Sequence, residues 1–129
     1  MFPEKEILIF VSYLMKKNFE IELLPEAQEF LESLEPKIRE KVYYNLKKSQ
    51  FIYDNELFKK LNEFIWEFRT DFNNKAYRLF SFWDKTDKKE AWVVATHGIL
   101  KKTQKTPPKE IKKAEEIRKQ YFNSKTKKK

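Results

Sequence analysis

The sequence predicts an α+β domain of two layers, an antiparallel sheet with an N-terminal helical hairpin and a C-terminal helix. Three observations carry that reading. The order of patterned segments is one strand, two helices, three strands and a helix. The three later strands follow one another through short polar turns, and sequential strands so joined pair antiparallel. The two helices carry their apolar residues on one side, which has to be buried against a sheet face.

Residues 1–17 form an N-terminal extension. Ile7 to Val11 is a short apolar run behind Glu4, Lys5 and Glu6. It is too short to span a bilayer, and it lacks the basic start and small-residue cleavage site of a signal peptide. Met15-Lys16-Lys17 followed by a strand reads as a natural start. On this reading the first 14 residues lie outside the domain; the alternative is a short helix or strand added to the edge of the core.

The domain proper spans 18–122. From Asn18 to Leu24, Phe19, Ile21 and Leu23 alternate with Glu20 and Glu22, the period of a half-buried strand. Pro25 opens a helix with Ala27, Phe30, Leu31 and Leu34 on one face, and Glu35-Pro36 breaks it. A second helix over Lys37 to Ser49 places Ile38, Val42 and Leu46 four residues apart. Asn55 to Asn62 is polar, anchored by Leu57, Phe58 and Leu61.

Phe64 to Arg69 alternates, with Ile65, Glu67 and Arg69 on one face and Phe64, Trp66 and Phe68 on the other. Asp71 to Lys75 is a turn rich in asparagine and aspartate. Ala76 to Trp83 is the next strand, in which Arg78 faces away from Tyr77 and Leu79. Asp84 to Glu90 is a charged turn, and Ala91 to Thr96 is the last strand. His97-Gly98 is expected to end it, since glycine relaxes the backbone where a chain leaves a sheet. Thr106-Pro107 reads as an N-cap and first helical residue. The helix runs to about Phe122, with Ile111, Ala114, Ile117 and Tyr121 as a narrow apolar stripe. Residues 123–129 read as a basic tail.

Charge narrows the classes of partner. The 129 residues carry a formal net charge of +8, unevenly distributed. Ile99 to Lys129 holds 12 lysines and arginines against 3 acids, a net of +9, while the rest holds 16 against 17. A polyanion such as RNA suits that segment. One histidine and no cysteine exclude disulfides and argue against a zinc site, which is compatible with a cytoplasmic protein.

The run from His97 through Ile99, Leu100, Lys101, Lys102, Thr103, Gln104 and Lys105 to Pro107 resembles the signature of the phage-derived, HigB-like branch of the RelE/ParE toxin superfamily. Ile65-Trp66-Glu67-Phe68-Arg69 is similar to that family's Trp-Glu-Leu-Arg strand, and Ala76-Tyr77-Arg78-Leu79 to its Tyr-Arg strand. The resemblance covers Phe19 to Phe122 in the family's order. Ile99 replaces the usual phenylalanine and Phe68 the usual leucine, both apolar exchanges.

The resemblance implies a RelE/ParE-like fold whose basic active face lies on an open side of the sheet. It implies the toxin of a type II toxin–antitoxin pair, an endoribonuclease that cleaves mRNA on the ribosome, with a HigA-like helix-turn-helix antitoxin as partner. It implies neither metal, cofactor nor membrane. RNA is cleaved without metal when its own 2′-hydroxyl attacks the adjacent phosphorus; this needs a base, an acid and cations for the phosphorane. Arg69 and Arg78 suit the cation role, because a guanidinium holds two phosphate oxygens. His97 suits acid–base work, because imidazole titrates near neutrality. Lys101 and Lys102 are either catalytic or phosphate-holding, and in some RelE-type toxins lysine takes the place of histidine. Glu67 is expected to orient Arg69, and Lys105 to contact RNA. Two alternatives share these features: a ParE-like inhibitor of DNA gyrase on the same fold, and a non-catalytic RNA-binding domain.

Overall fold

The computed structural model describes residues 3–102 and 105–127, with the side chain of Lys127 excepted. In chain order the elements are α1 (Glu4–Leu14), β1 (Glu20–Leu23), α2 (Pro25–Ser33), α3 (Pro36–Ser49), β2 (Phe58–Lys60), β3 (Ile65–Phe72), β4 (Lys75–Asp84), β5 (Trp92–Lys101) and α4 (Pro108–Lys127). The five strands form one sheet in the order β1-β5-β4-β3-β2. The mixed α+β class agrees with the sequence; several details differ.

The sheet is mixed rather than antiparallel. β2, β3, β4 and β5 pair antiparallel, but β1 runs parallel to β5, with Ile21 opposite Val93. Between them the chain forms α2, α3 and the β2–β4 meander, a crossover long enough to return β5 in the same direction as β1. β2 is an edge strand of three residues inside the segment read as polar, Asn55 to Asn62. Only Phe58 of β2 is buried, so the segment shows no alternation.

Helices cover both sheet faces, which makes three layers rather than two. α2 and α3 bury Ala27, Leu31, Val42 and Leu46 against Phe68, Leu79, Val93 and Ala95. Each large apolar side chain so buried contributes about 1.5–3 kcal/mol. The break between these helices lies at Leu34 and Glu35, both extended, because a residue before proline is driven out of the helical region. On the opposite face α4 lays Ala114 and Ile111 on Ile65, Phe80, Phe82 and Val94. Of the narrow stripe read from the sequence, Ile111, Ala114 and Tyr121 belong to this packing face, joined by Phe122.

α4 extends past Phe122, through residues assigned to the tail. Its last turns are held by the buried Asp84, which accepts hydrogen bonds from Tyr121 Oη at 2.6 Å and Lys125 Nζ at 2.5 Å. Burial opposes them, but these hydrogen bonds hold the Asp84 carboxyl far below the usual carboxylate range, and the bonds to Asp84 and Tyr121 push Lys125 up to about 12. Burial and the Asp84 hydrogen bond raise the Tyr121 phenol to about 12. Lys128 and Lys129 of the expected tail lie outside the described residues.

The first residues form a helix, α1, in which only Leu8 is buried. Polar contacts join α1 to α3: Lys5 pairs with Glu40, and Lys48 Nζ lies 3.6 Å from Glu4. No helix among the described residues is long and apolar enough to cross a membrane.

β5 continues to Lys101, so His97-Gly98 sits within the strand and does not end it. Gly98 does not need glycine for a turn. A Cβ there would stand 2.2 Å from Cδ2 of Phe30, so glycine is required by the close approach of the α2 ring. Thr106 likewise does not act as predicted: α4 begins at Pro108, and the Thr106 hydroxyl donates to Glu67 at 3.3 Å.

Candidate functional site

Strand register brings the basic residues together. Arg69 lies opposite Arg78, Arg78 opposite Ile99, and Ala76 opposite Lys101. Their common face is that of Phe80 and Phe82, which α4 covers only in part. What puts Lys101 on this face is a bulge at Thr96. Phe80 pairs with His97 and Ser81 with Ala95, leaving Thr96 as the extra residue. Strict alternation from Val94 would turn residues 97, 99 and 101 toward α2 and α3. The bulge reverses this parity, as an inserted residue does. The Thr96 hydroxyl donates to Phe80 O at 3.3 Å and stands 2.9 Å from His97 Nδ1.

The result is a polar cleft of about 630 Å³ at the end of the β3–β4 hairpin, lined by Arg69, Arg78, Lys101 and Lys102. The hairpin turn supplies its rim. Asn73 and Asn74 take positive φ, 50° and 61°, as both central residues of a type I′ turn must, and asparagine tolerates that region best among non-glycine residues. This turn carries Asp71 and Lys75 into the lining.

Glu67 anchors the two arginines. Its side chain is 3% exposed; Oε2 lies 3.8 Å from Arg69 Nε and Oε1 3.9 Å from Arg78 Nε. Those distances are ionic contacts and not hydrogen bonds, and both Nε atoms are buried with no hydrogen-bond partner. Arg78 is 4% exposed, and its Nη1 donates to Asp71 Oδ1 at 2.9 Å and to Tyr77 O at 3.0 Å. Arg69 Nη1 donates to Asn55 O at 3.3 Å. The cleft therefore offers guanidinium groups held in place from behind, a preorganised site for an anion.

Burial lowers the Lys101 ammonium below the ordinary lysine range. Glu67 opposes that shift, and the charges of Arg78, Arg69 and Lys59 add to it. A neutral fraction at Lys101 is the chemical requirement for a base at this position. Lys102 is exposed at the mouth. Lys105 is exposed and is not among the cleft-lining residues. Thr103 and Gln104 of the signature run lie outside the described residues.

His97 is not brought to the cleft. It is 2% exposed, stacked on Phe80 with ring centroids 4.9 Å apart, and its Nε2 lies 3.2 Å from Glu110 Oε1 on α4. Burial lowers its pKa first, followed by the charge of Lys113, while Glu110 opposes both. In this position the buried His97 joins α4 to the sheet through a part-buried polar contact with Glu110. The sequence reading also passed over Lys75, Asp71 and Lys59. The first two lay in a segment read only as a turn, and Lys59 in a strand too short to show a pattern.

A profile of the family described as Phage derived protein Gp49-like (DUF891) matches residues 29–119. The match takes in every residue of the cleft and most of α4. No curated protein matches the chain.

Proposed function

The chain belongs to the Gp49-like family of phage-derived proteins, a RelE/ParE-type family of toxins in toxin–antitoxin systems, and on that premise we propose that it is a HigB-like endoribonuclease that cleaves mRNA. The family implies an antitoxin partner; we assign it the HigA-like, helix-turn-helix type, and the ribosome as the place where mRNA is met.

The observation that carries this reading is the convergence of Arg69, Arg78, Lys101 and Lys102 on one cleft, with Glu67 behind the arginines. In the proposed reaction the two guanidinium groups hold the scissile phosphate. Neutral Lys101 takes the proton of the 2′-hydroxyl as its oxygen attacks phosphorus. The bond to the 5′-oxygen breaks, and Lys102, as ammonium, returns a proton to that oxygen. The products are a 2′,3′-cyclic phosphate and a 5′-hydroxyl end, and a proton shift from Lys101 to Lys102 resets both groups. The growing charge on the phosphorane falls to Arg69 and Arg78; removing one such contact commonly costs on the order of a hundredfold in rate. His97 serves as a positioning residue that fixes α4 beside the cleft, and Glu67 as the group that orients both arginines.

Induction of the chain, with RNA ends and DNA damage followed in the same culture, tests the proposal. The expected result is early mRNA cleavage leaving 5′-hydroxyl ends, suppressed by co-expressed antitoxin. DNA damage with intact mRNA would replace it with the gyrase reading. Intact RNA and DNA with retained RNA affinity would replace it with the non-catalytic one.

A further inference from the structure

A second hollow lies at the other end of the β3–β4 pair. It occupies about 550 Å³, and Tyr53, Phe64, Trp66 and Trp83 form its aromatic walls. Trp66 and Trp83 meet edge to face at 6.0 Å, and Phe58 stacks behind Trp66 at 4.8 Å. These rings are held by the core. Tyr53 and Phe64 are different: they are 82% and 42% exposed. The cations Lys60, Lys85 and Arg118 share the lining with one acid, Glu63. Lys85 Nζ lies 4.9 Å from the centre of the Trp83 ring and the Arg118 guanidinium 3.8 Å from that of Phe64. A smaller hollow of about 270 Å³ adjoins it across Tyr53, Trp66 and Trp83, and adds Asp54.

Packing explains the half-buried tryptophans. The need to guard a sheet edge explains Lys60, since lysine on an edge strand discourages pairing with another chain. Neither explains exposed rings set among cations. A ligand that uses both features carries flat π faces and negative charge in one molecule, as a nucleotide does.

The edge strand joins this hollow to the cleft. Lys59 pairs with Glu67 and Lys60 with Trp66, and neighbouring residues of a strand point to opposite faces. β2 thus presents one lysine on the cleft side, where its charge acts on Lys101, and the next on the aromatic side. Along β3, Arg69 lies four positions from Ile65, the neighbour of Phe64, about 13 Å of strand. A single strand leaving the cleft has a cationic path around this edge.

We infer that the hollow is a base-stacking subsite for single-stranded RNA, holding nucleotides outside the scissile step. As part of a nuclease it rests on the proposed reading of the cleft; as an RNA-binding surface it is measured separately. The probe is a fluorescein-labelled 2′-O-methyl oligoadenylate of eight nucleotides, whose blocked 2′-oxygen cannot attack phosphorus, so binding is read without cleavage. Anisotropy titrations compare the full chain with Tyr53→Ala, Tyr53→Trp and Lys60→Ala/Lys85→Ala. All these side chains reach solvent, and circular dichroism checks the fold.

Tyr53→Ala is expected to weaken the probe on the order of tenfold, Tyr53→Trp to retain it, and the double lysine variant to flatten the salt dependence. A Tyr53→Ala protein that binds within twofold of the parent overturns the subsite, even where RNA cleavage is intact. Loss of probe affinity in a protein that proves to cleave no RNA upholds the subsite and removes the nuclease reading alone. Unchanged probe affinity with lost capture of the antitoxin makes the hollow a protein-docking surface and overturns the inference.

Discussion

Replacing Arg78 by methionine separates its contribution to stability from its contribution to the reaction. The side chain is 4% exposed and its Nε lies 3.9 Å from Glu67 Oε1. Two unit charges at that distance, at an effective dielectric constant of about 20, attract by about 4 kcal/mol. Desolvation cancels much of this in the folded protein. What Arg78→Met measures is therefore the cost of a buried carboxylate losing a partner, commonly about 3–5 kcal/mol. Glu67 keeps Arg69 at 3.8 Å and the Thr106 hydroxyl at 3.3 Å, which sets the expectation at the lower end, about 3 kcal/mol. A domain of this size has about 5–15 kcal/mol in all, so the variant stays folded. Adding Glu67→Gln removes the stranded charge and should restore about half of the loss, a non-additive result. Cleavage should fall on the order of a hundredfold in Arg78→Met and should not return in the double variant, because glutamine supplies no cation for the phosphorane. Urea melts give the first quantity, and initial rates on a single-stranded RNA give the second. Strictly additive stability losses would refute the Glu67–Arg78 coupling. A folded double variant that cleaves at the parental rate would refute the site.

Four further outcomes are expected. Lys101 is lowered by burial and by neighbouring cations, and a base works when deprotonated, so the cleavage rate should rise with pH and level off below the ordinary lysine value of about 10.4; Lys101→Met should give a low, flat profile. Asp84→Asn should cost about 1.5–3 kcal/mol at neutral pH by weakening the charge-assisted hydrogen bonds that hold the end of α4. Because the folded carboxyl is depressed, that advantage is complete above the unfolded value of about 3.9 and declines as the pH falls below it, so denaturant melts of parent and variant should converge in acid. Gly98→Ala should destabilise by about 1–3 kcal/mol through overpacking on Phe30, and Phe30→Leu should relieve part of that loss. Among the described residues a chain starting at Met15 loses only Leu8 from the buried set, so its melt should shift by about 1.5–3 kcal/mol; a larger loss would make α1 an integral part of the domain.

Amino-acid pattern alone determined the local elements. Proline at 25 and 36 set the helix starts, the spacing of Ala27, Leu31, Val42 and Leu46 set their buried side, and Asn73-Asn74 set the hairpin turn. Alternation along β3 also put Glu67 and Arg69 on one face, and alternation along β4 set Arg78 opposite to Tyr77 and Leu79, since those are properties of neighbours in the chain; that Arg78 shares the face of Arg69 follows from their pairing across the two strands. Tertiary structure decided the rest, where distant residues meet. The parallel pairing of β1 with β5 and the burial of His97 under Glu110 depend on where the crossover and α4 come to lie. The glycine at 98 records the position of the Phe30 ring on another element. Most of all, Lys101 reaches the arginines because one extra residue at Thr96 reverses the parity of β5. A period-two pattern has no term for such an insertion, and the bulge becomes visible only against the strand it pairs with.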